Sequence, residues 1–421
     1  MDDPEFRWRN ILIPAFGPSM LFGIGNGAVL PIIALTAIDL NASQAVSGLI
    51  VALVGFGSLL SNIPAALVTA RFGERRSLVG ASAFCVLALA LCLLATHPAV
   101  LALGVLMLGM ATSVFYLARQ TYMMEAVPVR MRARAFSTLG GTQRIGMFIG
   151  PFAAAGLMHF MGLPGAYWVA IIALTAAGVL SFAIPELQIL KRGGVKVSEN
   201  PTTPPGAATA GPEAIASKAS ADASVKMWDV ARRHYRVLLS LGSGVLLIGA
   251  MRASRQIAIP LWAQHIGLSP TAIAMVFGLV SALDALVFYP AGKIMDDYGR
   301  VWVALPCALM LGVSFAAIPF THSVVPFVLA CTWMGLGNGI GSGIVMTLGA
   351  DASPPIGRTQ FLGLWRLIGD VGTSAGPFFL SGMTALISLG AGILSVGVFG
   401  LAAGIIFWRG LPHIRPARQD V

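Results

Sequence analysis

Seven ionisable side chains lie inside stretches of the sequence that are otherwise almost entirely apolar. They are five arginines and two aspartates: Arg119, Arg144, Arg252, Arg255, Arg366, Asp284 and Asp370. Within a bilayer such a charge costs from about 2.5 to more than about 10 kcal/mol, so it usually faces a polar cavity or an ionic partner. A carboxylate held there can carry a proton, and a guanidinium group attracts anions. These residue types therefore favour the binding and movement of ions.

The elements that must hold these charges are predicted to be membrane-spanning helices. Of the 421 residues, 57% are hydrophobic and 10% are charged, whereas soluble domains are about 45 to 50% apolar and about 25% charged. A helix needs about 20 apolar residues to cross a bilayer. Twelve such runs are present, approximately 11–33, 45–69, 77–96, 99–124, 136–158, 164–185, 237–262, 270–291, 302–320, 325–349, 360–384 and 387–408. We predict an all-α polytopic membrane protein with twelve transmembrane helices.

The formal net charge is +10, and the basic residues that produce it are distributed according to the predicted topology. Apart from the five arginines within spans, every lysine and arginine falls in the amino-terminal segment, in loops that join even to odd helices, or in the carboxyl tail. This distribution obeys the positive-inside rule. We therefore expect a multi-pass protein of the inner or plasma membrane with both termini in the cytoplasm, and the charge does not indicate a nucleic-acid partner.

The composition divides the chain into three parts. Residues 187–236 are rich in Pro, Ala, Ser and Gly and have too little apolar surface to fold. We predict that they form a largely disordered cytoplasmic linker. This linker separates an amino-terminal six-helix bundle, 1–186, from a carboxyl-terminal six-helix bundle, 237–421. No soluble domain of useful size is left over.

The two halves repeat each other at a constant offset of 226 residues. PAALVTARFG at 64–73 aligns with PAGKIMDDYG at 290–299, and the same offset aligns residues 125–152 with residues 351–378, where both segments end in GPF. We therefore expect two pseudo-symmetric bundles of equal orientation, related by an axis along the membrane normal. Such an architecture places a substrate site near the midplane between the bundles.

A signature between predicted helices two and three, approximately G-x-x-x-D-R-x-G-R-R, resembles that of the major facilitator superfamily of secondary transporters. The second-half copy matches at Gly292, Asp296, Gly299 and Arg300, and the first-half copy matches at Arg71, Gly73 and Arg75. The first-half copy departs from the signature at Ala66, Ala70 and Glu74. The resemblance covers nearly the whole chain apart from the linker.

The resemblance implies a gate at the cytoplasmic side of the molecule. In the family, the signature aspartate faces a helix amino terminus in the other half and helps hold that side closed. A carboxylate there meets unpaired N–H groups and the positive end of the helix dipole. Here Asp296 would face the start of helix five near Arg132 and Arg134. The corresponding latch in the first half is expected to be weak or absent.

Helix five carries a second resemblance, to the glycine-proline motif of drug:proton antiporters in the same superfamily. Gly150, Pro151 and Gly156 carry the match, whereas a second pair of small residues after the proline is missing. Small residues also permit close helix packing in lipid. The motif is therefore consistent both with export and with a purely structural role.

In the family, helices one, four, seven and ten line the central cavity. On these helices the candidates for the substrate cavity are Asn26, Tyr116, Arg119, Gln120, Arg252, Arg255, Gln256, Trp333 and Asn338. Arg252 and Arg255 share one face of helix seven below Pro260, so we expect a cavity-facing pair that attracts anionic groups. Snorkelling to the headgroups is the alternative for Arg119 and for Arg255.

The remaining intramembrane charges are candidates for proton coupling. Helices five and eight meet across the interface between the halves in the family, and Arg144 and Asp284 lie at similar depths, so they could form an ion pair there. Arg366 and Asp370 are four residues apart and could pair along one helix face. We hypothesise that Asp284 or Asp370 carries a coupling proton, and the alternative is a purely structural pairing.

These observations lead to three functional hypotheses. The first is a proton-coupled efflux antiporter of amphipathic small molecules that works by alternating access. The others are a proton-coupled transporter of small organic anions and, in a different class, a non-transporting membrane sensor or enzyme on the same fold. The sequence contains no Walker motif, no catalytic triad and no metal-ligand cluster, so we expect no enzyme activity, cofactor or metal. Protons, a small-molecule substrate and lipid are the expected partners of a monomer.

Overall fold

The computed structural model describes residues 16–127, 132–183, 227–354 and 356–411, and these residues contain helices and no strand. The twelve long helices are α1 Gly17–Asp39, α2 Gln44–Phe72, α3 Glu74–Leu93, α4 Pro98–Ala126, α5 Arg132–Met161, α6 Pro164–Phe182, α7 Tyr235–His265, α8 Pro270–Asp297, α9 Val301–Ala317, α10 Val324–Ile340, α11 Arg358–Leu386 and α12 Leu389–Gly410. A helical segment Ile344–Ala352 continues α10 after a turn, and a short helix, Met227–Arg233, precedes α7. The predicted linker lies outside the described residues up to position 226.

The fold predicted from the sequence is confirmed. Eleven of the described helices are long and apolar enough to cross a membrane. The other long helix, α11, has 29 residues and carries Arg366 and Asp370 in its amino-terminal half. It packs against α2, α7 and α12, so it belongs to the same bundle of spans.

Short polar caps and glycine turns set the helix ends. The hydroxyl groups of Ser43, Ser269 and Ser388 accept hydrogen bonds from backbone N–H groups in the first turns of α2, α8 and α12, which satisfies donors that the helix leaves unpaired. Gly73 and Gly299 end α2 and α8 with φ of +79° and +98°. Only glycine adopts this backbone region at low cost, which explains the glycine that both signature copies share.

The two halves use the same helix pairs. In the first half α1 packs against α5 and α6, and α4 packs against α2 and α3. In the second half α7 packs against α11 and α12, and α10 packs against α8 and α9. Each pair in one half therefore corresponds to the pair six helices later, as the 226-residue repeat predicts.

Glycines allow the closest of these helix pairs. A Cβ on Gly27 of α1 would lie 2.7 Å from the Met147 carbonyl oxygen of α5, and a Cβ on Gly150 would lie 2.7 Å from the Ala28 nitrogen. In the second half a Cβ on Gly339 of α10 would lie 2.7 Å from the Asp284 carbonyl oxygen. The glycine-rich segments of α1 and α10 therefore serve close packing, as small residues do between helices in lipid.

The seam between the halves is formed mainly by α5 against α8 and by α2 against α11, with α1 beside α7. At one end it is tightly packed: Gly48 of α2 contacts Ser381 of α11, and Gly278 of α8 leaves only 2.7 Å between a Cβ and the ring of Phe152. This is the end that carries the α1–α2 and α7–α8 loops. Toward the opposite end Tyr289 of α8 is 85% exposed. Under the predicted topology this end faces the cytoplasm.

Candidate functional site

Asp284 lies at the middle of α8, 14 residues after Pro270 and 13 before Asp297. Its side chain is only 13% exposed. One carboxylate oxygen accepts a hydrogen bond from Arg144 Nη1 at 3.0 Å, and the other accepts from Asn338 Nδ2 at 2.7 Å. Ser342 Oγ lies 3.4 Å from the first of these oxygens. The carboxylate is thus bound from α5 across the seam and from α10 within its own half.

One arginine of α7, Arg255, also lies close to this carboxylate, and a second, Arg252, lies one helical turn before it on α7. Arg255 is 7% exposed, and its Nη2 lies 3.8 Å from Asp284 Oδ2. Its Nε and Nη1 are buried and have no hydrogen-bond acceptor in the described part of the chain. The same holds for Nε and Nη2 of Arg252. The Asp284 carboxylate is therefore shared by Arg144 and Arg255, and the nearby Arg252 adds a third cation, with buried guanidinium nitrogens, on the same face of α7. We call the following residues the Asp284 cluster: Arg144, Arg252, Arg255, Asp284 and Asn338.

The Arg252 side chain points from α7 toward Cys307 of α9 and toward the turn that follows α10. A Cβ on Gly341 would lie 2.9 Å from Arg252 Nη2 and would also meet the buried sulfur of Cys307. Arg255 points toward Asp284, 3.8 Å away, and the expectation that the two arginines face a substrate cavity stays a prediction. Gln256, the next residue, is half-buried. The snorkelling alternative for Arg255 is wrong, because its side chain is buried against α8.

A second polar cluster lies in the first half, between α4 and α5. Arg119 Nη1 donates to Gln143 Oε1 at 2.9 Å, and Gln143 Nε2 donates to Tyr116 Oη at 2.6 Å. The Arg119 guanidinium also lies 5.0 Å from the centre of the Tyr116 ring, which is a cation–π distance. Arg119 Nε is buried without an acceptor among the described residues. Arg119 is therefore held inside the bundle and does not snorkel.

The other sequence-predicted cavity residues lie around these clusters. Asn26 of α1 is 6% exposed and Trp333 of α10 is 49% exposed. Gln120 of α4 accepts from Arg366 Nη1 of α11 at 3.4 Å, which joins the halves at a second point. Arg366 Nε lies 3.9 Å from Asp370 Oδ2, and their side chains are 66% and 40% exposed. This pair is looser and more exposed than the pair of Arg144 and Asp284.

In the second half, the signature residue Arg300 connects three segments of the chain. Arg300 Nε lies 2.8 Å from Asp351 Oδ2, and Arg300 Nη1 donates to the Met295 carbonyl at 2.9 Å. The Asp296 side chain is 75% exposed, with Arg300 3.5 Å away, so it is not buried against the start of α5. The expected contact near Arg132 and Arg134 falls on side chains outside the described residues.

The first-half signature residues take part in other contacts. The Arg71 guanidinium lies 5.6 Å from the Phe72 ring centre, and that of Arg75 lies 6.0 Å from the Phe182 ring centre. Gly292 in the second half leaves open space around a Cβ. The glycines at 73 and 299 are thus required by the backbone, whereas Gly292 is not required by packing in this conformation.

Sequence reasoning missed several partners of the charged residues. Ser342 and Gln143 were not candidates, and Asn338 was expected at the cavity wall and not as a donor to Asp284. A usable signal was the spacing of Asn338 and Ser342, which are four residues apart and would share one face of the predicted tenth span. Among the described residues no group of His, Cys, Asp or Glu could hold a metal ion. Chemically, the cluster combines a carboxylate, which is a general proton acceptor, with guanidinium groups, which bind anions.

Two repeated six-helix bundles with an ionic cluster at the midplane of their seam define the class of secondary transporters built from internal repeats. The family model for the Major Facilitator Superfamily matches residues 16–241 and again 241–420. The chain belongs to this family and is a membrane transporter of its type.

Relatives and solved structures agree with this assignment. The uncharacterized MFS-type transporter YhjO of Bacillus subtilis is 23% identical over 370 residues, which is 87% of this chain and 84% of the relative. The inner membrane transport protein YnfM of Escherichia coli is 23% identical over 43% of this chain and 44% of its own length. A D-xylose–proton symporter has a TM-score of 0.73 with 14% identity, covering 97% of this chain and 98% of that structure. The nucleoside transporter NupG also has a TM-score of 0.73, with 11% identity over 94% and 98% of the two chains. At these identities the structures show the fold alone.

Proposed function

We propose that this protein is a proton-coupled secondary transporter of small organic anions that works by alternating access. The observation that carries the proposal is the Asp284 cluster, in which a single carboxylate is shared by Arg144 and Arg255 at the seam between the halves, while Arg252, three residues before Arg255, keeps two buried nitrogens without an acceptor among the described residues. An excess of buried positive charge is costly unless a ligand compensates it. An anionic substrate supplies that compensation.

Asp284 is the proton carrier in this proposal. Protonation would remove its negative charge and break the ion pair with Arg144, whose side chain is 28% exposed. The carboxyl group would still be held by Asn338 of its own half. Arg144 would then be left without its anionic partner, and the acidic group of a substrate could take the place of the aspartate. Asp370 is a weaker candidate, because its 3.9 Å contact with Arg366 lies within one helix and does not join the halves.

The geometry of the seam supports a coupled cycle. The ion pair of Arg144 and Asp284 links α5 to α8, and the packed end of the seam lies on one side of it. Loss of the pair would weaken the seam and allow the halves to rock about the bound substrate. We further propose that the protein lies in the inner or plasma membrane with both termini in the cytoplasm, as the distribution of Lys and Arg predicts.

Export of amphipathic compounds by proton antiport is the second candidate function. The resemblance of Gly150, Pro151 and Gly156 to the antiporter motif favours it. Its weakness is that Gly150 has a structural role, because α1 packs directly against it. The arginine excess would also repel the organic cations that many exporters carry.

Reconstituted liposomes test the proposal. We expect small carboxylates to evoke a proton flux in the wild-type protein and Asp284→Asn to abolish it, because the amide cannot release a proton. Asp39→Asn is the matched control, since Asp39 is an exposed carboxylate at the end of α1. If cationic dyes evoke the flux and carboxylates do not, the antiporter hypothesis replaces this one. If neither does, or if Asp284→Asn transports with unchanged coupling, the proposal is wrong.

A further inference from the structure

A groove lies between α2 and α3 on the first half of the molecule. Each of these helices packs mainly against α4, and they touch each other little, so α4 forms the floor between them. The cavity that results has a volume of about 310 Å³. Its apolar lining includes Val68 and Phe72 of α2, Gly80 and Phe84 of α3, and Ala111 and Val114 of α4. We call this cavity the α2–α3 groove.

The α2–α3 groove opens toward the lipid that surrounds the bundle. One of its walls, α3, packs against α4 and α6 and lies at the periphery. Phe72 is 52% exposed, and a Cβ on the exposed Gly80 would meet open space. A water-sized group needs about 30 Å³, so the groove has room for several methylene groups of a chain.

Positive charge gathers at one end of the groove. Arg76 of α3 lines the cavity itself. The turn between α2 and α3 adds Arg71 and Arg75, and residues 71–76 contain one acid, Glu74. Under the predicted topology this end lies at the cytoplasmic face, where acidic lipids attract basic residues. An anionic group at the membrane surface therefore fits the end of the groove.

The charge and the apolar lining follow one face of α3. Arg76, Gly80 and Phe84 are spaced four residues apart, so they lie on the same side of the helix. About 12 Å of helix separates the first of them from the last. A molecule with a charged head and an apolar chain can thus place its head at Arg76 and its chain along the groove.

The same place in the second half differs in both respects. The 226-residue repeat places Trp302 where Arg76 stands, and it places Met310 of α9 and Gly337 of α10 at two lining positions of the groove. A Cβ on Gly337 would lie only 2.7 Å from Met310 Cβ, so α9 and α10 pack closely there. The basic groove is therefore a feature of the first half and not of the repeated architecture.

We propose that the α2–α3 groove binds an acidic phospholipid of the inner leaflet, with the phosphate at Arg76 and one acyl chain between the helices. Guanidinium groups bind phosphate well because their planar fork of donors matches its oxygens. Basic pockets between transmembrane helices are suited to acidic headgroups for the same reason. A zwitterionic lipid would offer the chain without the net charge, and free phosphate would offer the charge without the chain.

Lipid in the groove supplies packing that α2 and α3 give each other only sparingly. Because α2 also packs against α11 across the seam, the bound lipid supports from outside a helix that joins the two halves. The inference does not depend on which substrate is transported.

Native mass spectrometry of the purified protein tests the inference. The probes are phosphatidylglycerol and phosphatidylcholine with identical acyl chains, added in equal amounts. We expect the wild-type protein to retain phosphatidylglycerol in preference by about fivefold, the factor that one basic residue near an anionic surface contributes. Arg76→Gln should reduce the preference to less than about twofold, and Arg76→Lys should retain most of it. Gly80→Leu fills the groove and should lower retention of both lipids by about threefold or more.

Two matched variants serve as controls. Arg236→Gln removes an exposed basic residue near the start of α7, and Gly382→Leu adds a side chain at an exposed helical glycine with open space around it. Both should leave lipid retention unchanged.

Three outcomes would overturn the inference. The first is equal retention of the two lipids by the wild-type protein, and the second is a preference that survives Arg76→Gln, since the headgroup would then bind elsewhere. The third is unchanged retention in Gly80→Leu, which would mean that no chain lies in the groove. If inorganic phosphate raises Tm as much as phosphatidylglycerol does, the position takes a free anion and the lipid is likewise ruled out.

Discussion

Arg144 of α5 and Asp284 of α8 form a 3.0 Å ion pair at the midpoint of the seam between the two halves. The carboxylate has a second, shorter hydrogen bond to Asn338 of its own half, whereas the arginine also lies against the ring of Phe288, 4.6 Å from its centre. Asp284 is therefore fixed by the second half. Arg144 is the partner that separates from it when the halves move apart.

The coupling between these two residues can be measured with a double-mutant cycle. Asp284→Asn should lower the unfolding free energy by about 3 kcal/mol, because it leaves several buried guanidinium groups without a charged partner. Arg144→Gln should cost less, since Asp284 keeps Asn338 and Arg255. The double variant should deviate from additivity by about 0.5 to 3 kcal/mol. Thermal or denaturant unfolding in detergent provides the measurement, and strictly additive effects would contradict the pairing.

The packed end of the seam predicts a way to shift the conformational equilibrium. A Cβ on Gly48 would lie 3.3 Å from Ser381 Cβ and 3.4 Å from Ile257 Cγ2, so Gly48→Leu should wedge α2 away from α7 and α11. Spin labels at Val46 of α2 and Met275 of α8, exposed positions in opposite halves near this end, should report a longer distance. Gly382→Leu is the control because a Cβ there meets open space. An unchanged distance distribution in Gly48→Leu would argue against a gate at this position.

Composition was enough to predict the number of spans, and the constant 226-residue offset predicted the repeat. The partners across the seam were predicted from helix depth together with the resemblance to the family, which implies that helices five and eight meet. Counting residues along α5 and α8 gives the depth of Arg144 and Asp284 directly, because each residue adds about 1.5 Å. Counting does not give the direction in which a side chain leaves its helix. For this reason the orientation of Arg252 toward Cys307, and the hydrogen bond from Asn338 to Asp284, could not be predicted.

The state of the gate could not be predicted either. Asp296 is exposed in this conformation, although the signature of which it is part implies a contact with the other half when that end is closed. A sequence specifies residues that act in several conformations of one cycle, and a single structure describes one of them. The role of Asp296 as a latch therefore stays a prediction.

Two glycines of the antiporter-like motif, Gly150 and Gly156, differ in packing, so replacing each by alanine should change stability differently. Gly150→Ala should lower the unfolding free energy by about 1 to 3 kcal/mol, because the added methyl group meets the backbone of α1. Gly156→Ala should be neutral or slightly stabilising, since a Cβ there has open space and alanine favours the helix by about 1 kcal/mol. Thermal unfolding checks both. If both variants keep their stability and lose transport equally, the glycines act in transport and the packing explanation fails.

The contacts of Arg300 stabilise the second half at the end of the molecule opposite the packed end of the seam. Its side chain joins the α8–α9 turn to Asp351 and to the Met295 carbonyl, so Arg300→Gln should lower the unfolding free energy by about 1 to 3 kcal/mol. Asp351→Asn should have a similar effect that is not additive with it. Asp296→Asn should cost less than about 1 kcal/mol, because this carboxylate is exposed. The repeat places Glu74 where Arg300 stands, so the residue at this position of the first half is an acid and not a cation. Equal losses in Asp296→Asn and Asp351→Asn, measured by thermal unfolding, would contradict this account.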